Sequence, residues 1–364
     1  MFISSRKGQL GYLPTAVLRS SVGRIYFLLL GAVLLGACET DAVEVNRDFT
    51  FVKPDHFPEP TYTFDNNPVT EDGFNLGKRL FFDPLLSSDG SVSCNSCHIQ
   101  ATAFADGQQH PLSIGVNDRI GTRNTPSLAN LAFKREFFWD GGVTHLDFTP
   151  TNAIENVLEM DESLANVVKK INADERYPAL FEQAFGIDTI TSPYVLQAFS
   201  QFLVMMVSDR SRYDDHVRGT GEGLTEDELQ GLKLFTEKCS SCHSGQLFSD
   251  FSYRNNGISS TFRDEGRALI TEHPADRGTF RVPSLRNVGR TAPYMHNARF
   301  ATLEQVLEHY ARGVLDSPTL DSALRGGNRL GIPMTKAEQE AIIAFLKTLS
   351  DREFTADRRF MNNP

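Results

Sequence analysis

Cys94-Asn95-Ser96-Cys97-His98 and Cys239-Ser240-Ser241-Cys242-His243 each place two thiols three positions apart, with a histidine directly after the second. That order has a chemical meaning. Two thiols so spaced can add across the two vinyl groups of one porphyrin, and the adjoining imidazole then lies under the ring and ligates its iron. A Cys-x-x-Cys pair alone could equally be a redox dithiol or half of a zinc site. Here the pair occurs twice, each time followed by His, and the only other cysteine is Cys38. The reading is two covalently attached haem c groups.

Elements that could position such groups recur around both motifs. Gly77-Lys78-Arg79-Leu80-Phe81 stands upstream of the first, and Gly231-Leu232-Lys233-Leu234-Phe235 upstream of the second. Pro126-Ser127-Leu128 is echoed downstream by Pro283-Ser284-Leu285. Thirteen positions past each proline lie Trp139 and His296; twenty past lie Leu146 and Leu303. Shared order and offsets make internal duplication the better explanation. The expected fold is mainly α, with two cytochrome-c-like haem domains, 73–218 and 219–364, joined near Gly219-Thr220-Gly221-Glu222-Gly223. Amphipathic spacing marks helices through Leu196, Phe199, Leu203, Met206 and Val207, and through Ile342, Phe345, Leu346 and Leu349.

The repeat also suggests an asymmetry. Leu303, Val306, Leu307 and Tyr310 fall at i, i+3, i+4 and i+7, so Tyr310 faces the apolar interior while His309 falls on the polar side with Gln305, Glu308 and Arg312. In the repeat register, Tyr310 corresponds to Ala153. Alanine cannot ligate iron. The second haem would therefore have a phenol ligand where the first has an open position, the precondition for binding peroxide.

Residues 1–37 contain Arg6, Lys7, Arg19 and Arg24 and no acidic residue, and they lead into the apolar run 25–35. That run is shorter than the roughly 20 residues a membrane helix needs. Basic residues before a short apolar run make a secretory signal peptide. Leu34-Leu35-Gly36-Ala37-Cys38 resembles a bacterial lipobox, with Cys38 the lipidated residue, and 38–72 reads as a tether. The expected location is the bacterial periplasm, with the membrane engaged only through that anchor. Without residues 1–37 the net charge moves from −10 to −14. So acidic a chain disfavours nucleic acid and anionic membrane surfaces as partners and suits a cationic soluble one.

Gly77 to Pro84, both haem motifs, Arg123 to Leu128, Phe138-Trp139-Asp140-Gly141, Glu159-Met160, Val282 to Asn287 and Thr291-Ala292-Pro293-Tyr294 occur in this order. With these blocks the chain resembles the bacterial dihaem cytochrome c peroxidase and MauG family over residues 73–350. The resemblance implies that His98 is the proximal ligand of a peroxidatic haem and His243 that of an electron-transfer haem. It implies that Trp139 relays electrons between them and that Glu159 is a distal acid–base group. It further implies a calcium site at Asn124 with the carbonyls of Thr291 and Pro293, and, for many members, a homodimer. Two positions depart from the peroxidase pattern: Thr149 stands where a distal glutamine is usual, and Ala153 where a proline is. Tyr310 in place of a methionine ligand follows the MauG branch. His110, in the loop after the first motif, reads more readily as a surface histidine than as a switchable ligand.

Three functions are consistent with these residues. The first is an enzyme that reduces hydrogen peroxide with electrons from a small cytochrome c or cupredoxin. The second is a MauG-like oxidase acting on residues of a protein substrate, favoured by Tyr310, Thr149 and Ala153. The third is a non-catalytic dihaem electron carrier; Glu159 beside an open first haem argues against it.

Overall fold

The computed structural model describes residues 49–107 and 110–362. The signal segment 1–37, Cys38 and the first part of the expected tether lie outside the described residues. Among the described residues the fold is mainly helical, and no helix is long and apolar enough to cross a membrane.

The first half contains α1 (Glu71–Phe82), the single-turn α2 (Cys94–Cys97), α3 (Thr149–Glu155), α4 (Leu164–Ala173), α5 (Pro178–Phe185), α6 (Ser192–Val204) and α7 (Arg212–Arg218). The second contains α8 (Glu226–Lys238), α9 (Ala268–Thr271), α10 (Leu303–Glu308), α11 (Lys336–Thr348) and α12 (Arg352–Ala356). Two antiparallel pairs of two-residue strands complete it: β1 (Tyr253–Arg254) with β2 (Phe280–Arg281), and β3 (Arg325–Gly326) with β4 (Arg329–Leu330). Helix starts follow local chemistry. Thr225 with Glu228, and Thr335 with Glu338, form reciprocal caps on α8 and α11, satisfying backbone donors that a helix start otherwise leaves open.

Each half is built on one close helix crossing. α1 lies across α6 at Gly77, where a Cβ would sit 2.0 Å from the Ala198 carbonyl oxygen. α8 lies across α11 at Gly231, where a Cβ would sit 2.0 Å from the Ala341 oxygen and 2.9 Å from Phe345 Cβ. Only a residue without a side chain allows either approach. Around these crossings lie two hydrophobic cores. The first runs from Phe57 through Phe74, Phe81, Phe104 and Phe202; the second centres on Phe235, Phe248, Ile342 and Phe345.

Two segments differ from the reading of their composition. Residues 49–72, expected to continue the tether, pack on the first core, with Phe57 and Tyr62 buried and Asn67 bonded to Gln197 O and Tyr62 Oη. Aromatic residues scattered among Asp, Asn, Pro and Thr give no periodic signal, yet each finds a core partner. The C-terminal Phe354 and Phe360 also join the first core, Phe354 tilted against Phe104 and Phe360 edge-on to Phe202. The two halves are further tied by a buried cluster. Arg286 makes two bonds to Asp214 at 2.8 and 2.9 Å, and His56 Nε2 meets the same carboxylate at 3.0 Å. Removing one member of a buried pair strands the other's charge, at a cost of about 3–5 kcal/mol.

His309 is the other correction. The helix widens after Glu308 into a π-helical turn, His309–Gly313. Bonding from i to i+5 breaks the 3.6-residue period on which the polar-face assignment rested. His309 is consequently buried, and its Nε2 lies 3.0 Å from the Asn256 carbonyl.

Candidate active site

Both Cys-x-x-Cys-His segments fold into one turn that presents sulfur and imidazole to a cavity. The His98 amide donates to Cys94 O at 2.9 Å and the His243 amide to Cys239 O at 3.0 Å. His98 Nδ1 lies 2.6 Å from Phe104 O, and His243 Nδ1 lies 3.1 Å from Phe248 O. A carbonyl only accepts, so Nδ1 carries the proton and Nε2 keeps its lone pair, the tautomer an iron ligand needs. Burial holds both imidazoles neutral, lowering His98 to about 4 and His243 in the same direction. The four cysteines are unpaired, and burial pushes the Cys94 and Cys239 thiols up to about 12.

The first cavity, of 1320 Å³, is lined by Cys94, Cys97 and His98 together with Thr149, Ala153 and Glu159. Glu159 is not on a helix; it sits in the turn after α3, where Val116 N donates to its carbonyl at 2.8 Å. Asn156 Nδ2 donates to Glu159 Oε1 at 2.7 Å. Burial raises the carboxyl to about 7, against the pull of that hydrogen bond. Thr149 Oγ1 donates to Leu146 O at 2.8 Å, so its proton is committed to the backbone. His110 is not among the residues lining either cavity; it lies beside Asp106, with 4.0 Å between Nδ1 and Oδ1.

The second cavity, of 250 Å³, is lined by Cys239, Cys242, His243 and Tyr310. Tyr310 is held by Ile332 N, which donates to its carbonyl at 2.7 Å. Burial pushes its phenol up to about 12, with an Asn256 side-chain hydrogen bond opposing.

One wall serves both cavities. Trp139, Asn124, Lys134, Phe280, Arg281 and His296 line each of them. Trp139 Nε1 donates to Asn124 O at 2.7 Å, and its carbonyl accepts from Arg281 N at 2.8 Å. Phe138, immediately before it, has φ of 66°, a left-handed conformation that a bulky residue adopts only where its surroundings enforce it. Arg123 braces this wall from outside, with two bonds to Asp264 at 2.6 and 2.8 Å and one to Asp140 at 2.5 Å. His296 stacks on Phe280 with centroids 3.6 Å apart.

The structure thus gathers His98, Glu159 and Thr149 on one side, His243 and Tyr310 on the other, and Trp139 between. Asn124 Nδ2 lies 2.6 Å from Pro293 O, and Thr291 lines the second cavity with them. Sequence reading did not single out Lys134, Arg281 or Asp264. Their only signal would have been charge in an otherwise apolar or loop context, which does not reveal burial.

A family profile described as "Di-haem cytochrome c peroxidase" matches residues 71–222. The methylamine utilization protein MauG of Methylorubrum extorquens is 34% identical over 304 residues, covering 82% of this chain and 83% of the relative. The cytochrome c551 peroxidase of Nitrosomonas europaea is 34% identical over 288 residues, covering 78% and 81%. The crystal structure of a MauG-like protein associated with microbial copper homeostasis superposes with a TM-score of 0.76 at 33% identity, over 86% of this chain and 99% of that one.

Proposed function

The chain belongs to the di-haem cytochrome c peroxidase family, and on that premise we propose that it is a peroxidase reducing hydrogen peroxide to water with electrons from a small redox protein. The carrying observation is Glu159 in the same cavity as His98, with its carboxyl raised to about 7. The residues fit two haems: two thiols and a neutral imidazole face each cavity, and buried Thr151 Oγ1, Asn297 Oδ1 and Arg281 Nη1, on residues lining the first, have no protein partner. His98 would hold the first iron, and His243 with Tyr310 the second.

When bound, the haems supply the redox centres at which the O–O bond is cleaved and electrons are stored. The protein's task is to move protons and exclude misdirected charge. Glu159 Oε1 is held by Asn156, which leaves Oε2 to take a proton from one peroxide oxygen and return it to the other. Trp139, in the common wall, is placed to pass electrons from the second side to the first. Turnover consumes two electrons and two protons per peroxide, so the expected donor is a small, cationic redox protein matching the acidic chain. Addition of peroxide to the holoprotein with reduced cytochrome c should give many turnovers per chain. Oxidation limited to about one equivalent would count against the assignment.

A second reading, a MauG-like oxidase of a protein substrate, is favoured by Tyr310 in the second cavity and by the committed Thr149 hydroxyl. A phenolate is a harder, anionic donor than a thioether and stabilises the oxidised iron. Tyr310→Met is therefore expected to raise the potential of the second haem, read by potentiometric titration. An unchanged titration would remove Tyr310 from the ligand set.

The finer organisation belongs to this proposal. Matching glycine crossings at Gly77 and Gly231, and matching bonds from Ser127 Oγ to Ala103 O and from Ser284 Oγ to Leu247 O, support duplication of one haem domain, with 49–72, Phe354 and Phe360 added to the core of the first copy. For calcium, the nearness of Asn124 and Pro293 O fits an oxygen donor set once the amide oxygen faces the cation; the remaining ligands would be Thr291 O and water. The basic and apolar residues before Cys38, and the lipobox-like Leu34-Leu35-Gly36-Ala37-Cys38, support a periplasmic location with a lipid anchor.

A further inference from the structure

The common wall contains two buried cations that lack a carboxylate of their own. Lys134 and Arg281 are each 8% exposed, and both line both cavities. Among the described residues, no hydrogen bond or ion pair engages Lys134 Nζ. Arg281 Nε donates to Phe138 O at 3.1 Å and the guanidinium lies 5.9 Å from the Phe251 ring centre, but Nη1 is buried with no partner. The acids nearest Arg281 are already engaged. Glu136 pairs with Arg267 at 3.0 Å and accepts from Tyr253 Oη at 2.7 Å, and Asp140 is bonded to Arg123.

Burial disfavours the charged form of both side chains, and the Arg281 charge disfavours that of Lys134 further. A cation so buried either gives up its proton or is matched by a counter-charge, and a bound ligand can bring one. Haem brings one. Its two propionates project from the edge of the porphyrin opposite the vinyl groups, and the vinyl edge is fixed by the cysteines. Cys94 and Cys97 line only the first cavity and Cys239 and Cys242 only the second, whereas Lys134 and Arg281 line both.

We propose that Lys134 and Arg281 form a shared anion seat for haem propionates in the wall between the two cavities, and that their charge holds at least one haem at a higher potential than it would otherwise have. The inference rests on the di-haem reading. Arg281 is also tied to the relay residue through its backbone, its amide donating to Trp139 O at 2.8 Å.

The test uses purified holoprotein and the Lys134→Met, Arg281→Met and Lys134→Arg variants. Haem content is counted from the alkaline pyridine complex, and both potentials are read by spectroelectrochemical titration. Removing a cation favours the ferric state. Each Met variant should therefore show, for at least one haem, about a tenfold lower reduced-to-oxidised ratio at fixed ambient potential, about 59 mV for one electron. Lys134→Arg should stay near the wild-type value. Two haems per chain with unmoved potentials in both Met variants would overturn the proposal. Should Lys134→Met fail to load haem, normal loading of Lys134→Arg would support a charge requirement; equal failure of both would show a need for shape and overturn it. Wild-type protein with fewer than two haems would overturn the di-haem reading and this inference with it.

Discussion

His98→Ala is expected to abolish peroxide turnover while leaving the second haem spectroscopically intact. The imidazole is buried and neutral, and its Nδ1 is fixed on Phe104 O, so Nε2 is the ring atom presented as a ligand. The thioether bonds form at Cys94 and Cys97 and not at the imidazole, and haem content counted on the variant separates loss of the ligand from loss of the haem. Loss on the order of 10⁴-fold is the scale seen when a central catalytic group is removed, equivalent to about 5.4 kcal/mol of barrier. Steady-state oxidation of reduced cytochrome c measures it, and the ferric spectrum reports whether the His243 and Tyr310 centre is unchanged. Turnover near the wild-type rate would move the peroxide site away from the first half.

Glu159→Gln should slow the reaction with peroxide by about 10²–10⁴-fold, the usual contribution of a positioned proton-transfer group. Glutamine keeps the size and the contact with Asn156 but cannot accept a proton. The pH profile separates this role from a structural one. With the carboxyl at about 7, Glu159 is protonated below that pH and unable to take a proton from peroxide; above it the carboxylate is available. The wild-type rate constant should rise with pH through about 7, and the variant's should lose that inflection. Stopped-flow mixing with peroxide across this range gives both quantities. An inflection that survives in a fast-reacting Gln variant would assign the titration to another group.

Neither substitution separates the two enzymatic readings, since both use His98, Glu159 and Trp139; the readings differ in what the second side does with charge. Tyr310 lines that side, so its effect on potential is the more discriminating measurement.

What was legible in the chain was whatever depends on neighbours close in sequence. Thiol and imidazole in one turn are expressed within a few residues. Helical spacing also turned Tyr310 toward the interior, and the family blocks marked Trp139. Folding decided the rest, because burial and charge pairing depend on contacts between distant segments. Arg123 finds Asp264 across 141 positions, Phe360 returns to the first core, and a π turn carries His309 inward against its helical period. Lys134 is an ordinary charged residue in sequence. Only the meeting of two cavity walls turns it and Arg281 into cations that wait for an anion.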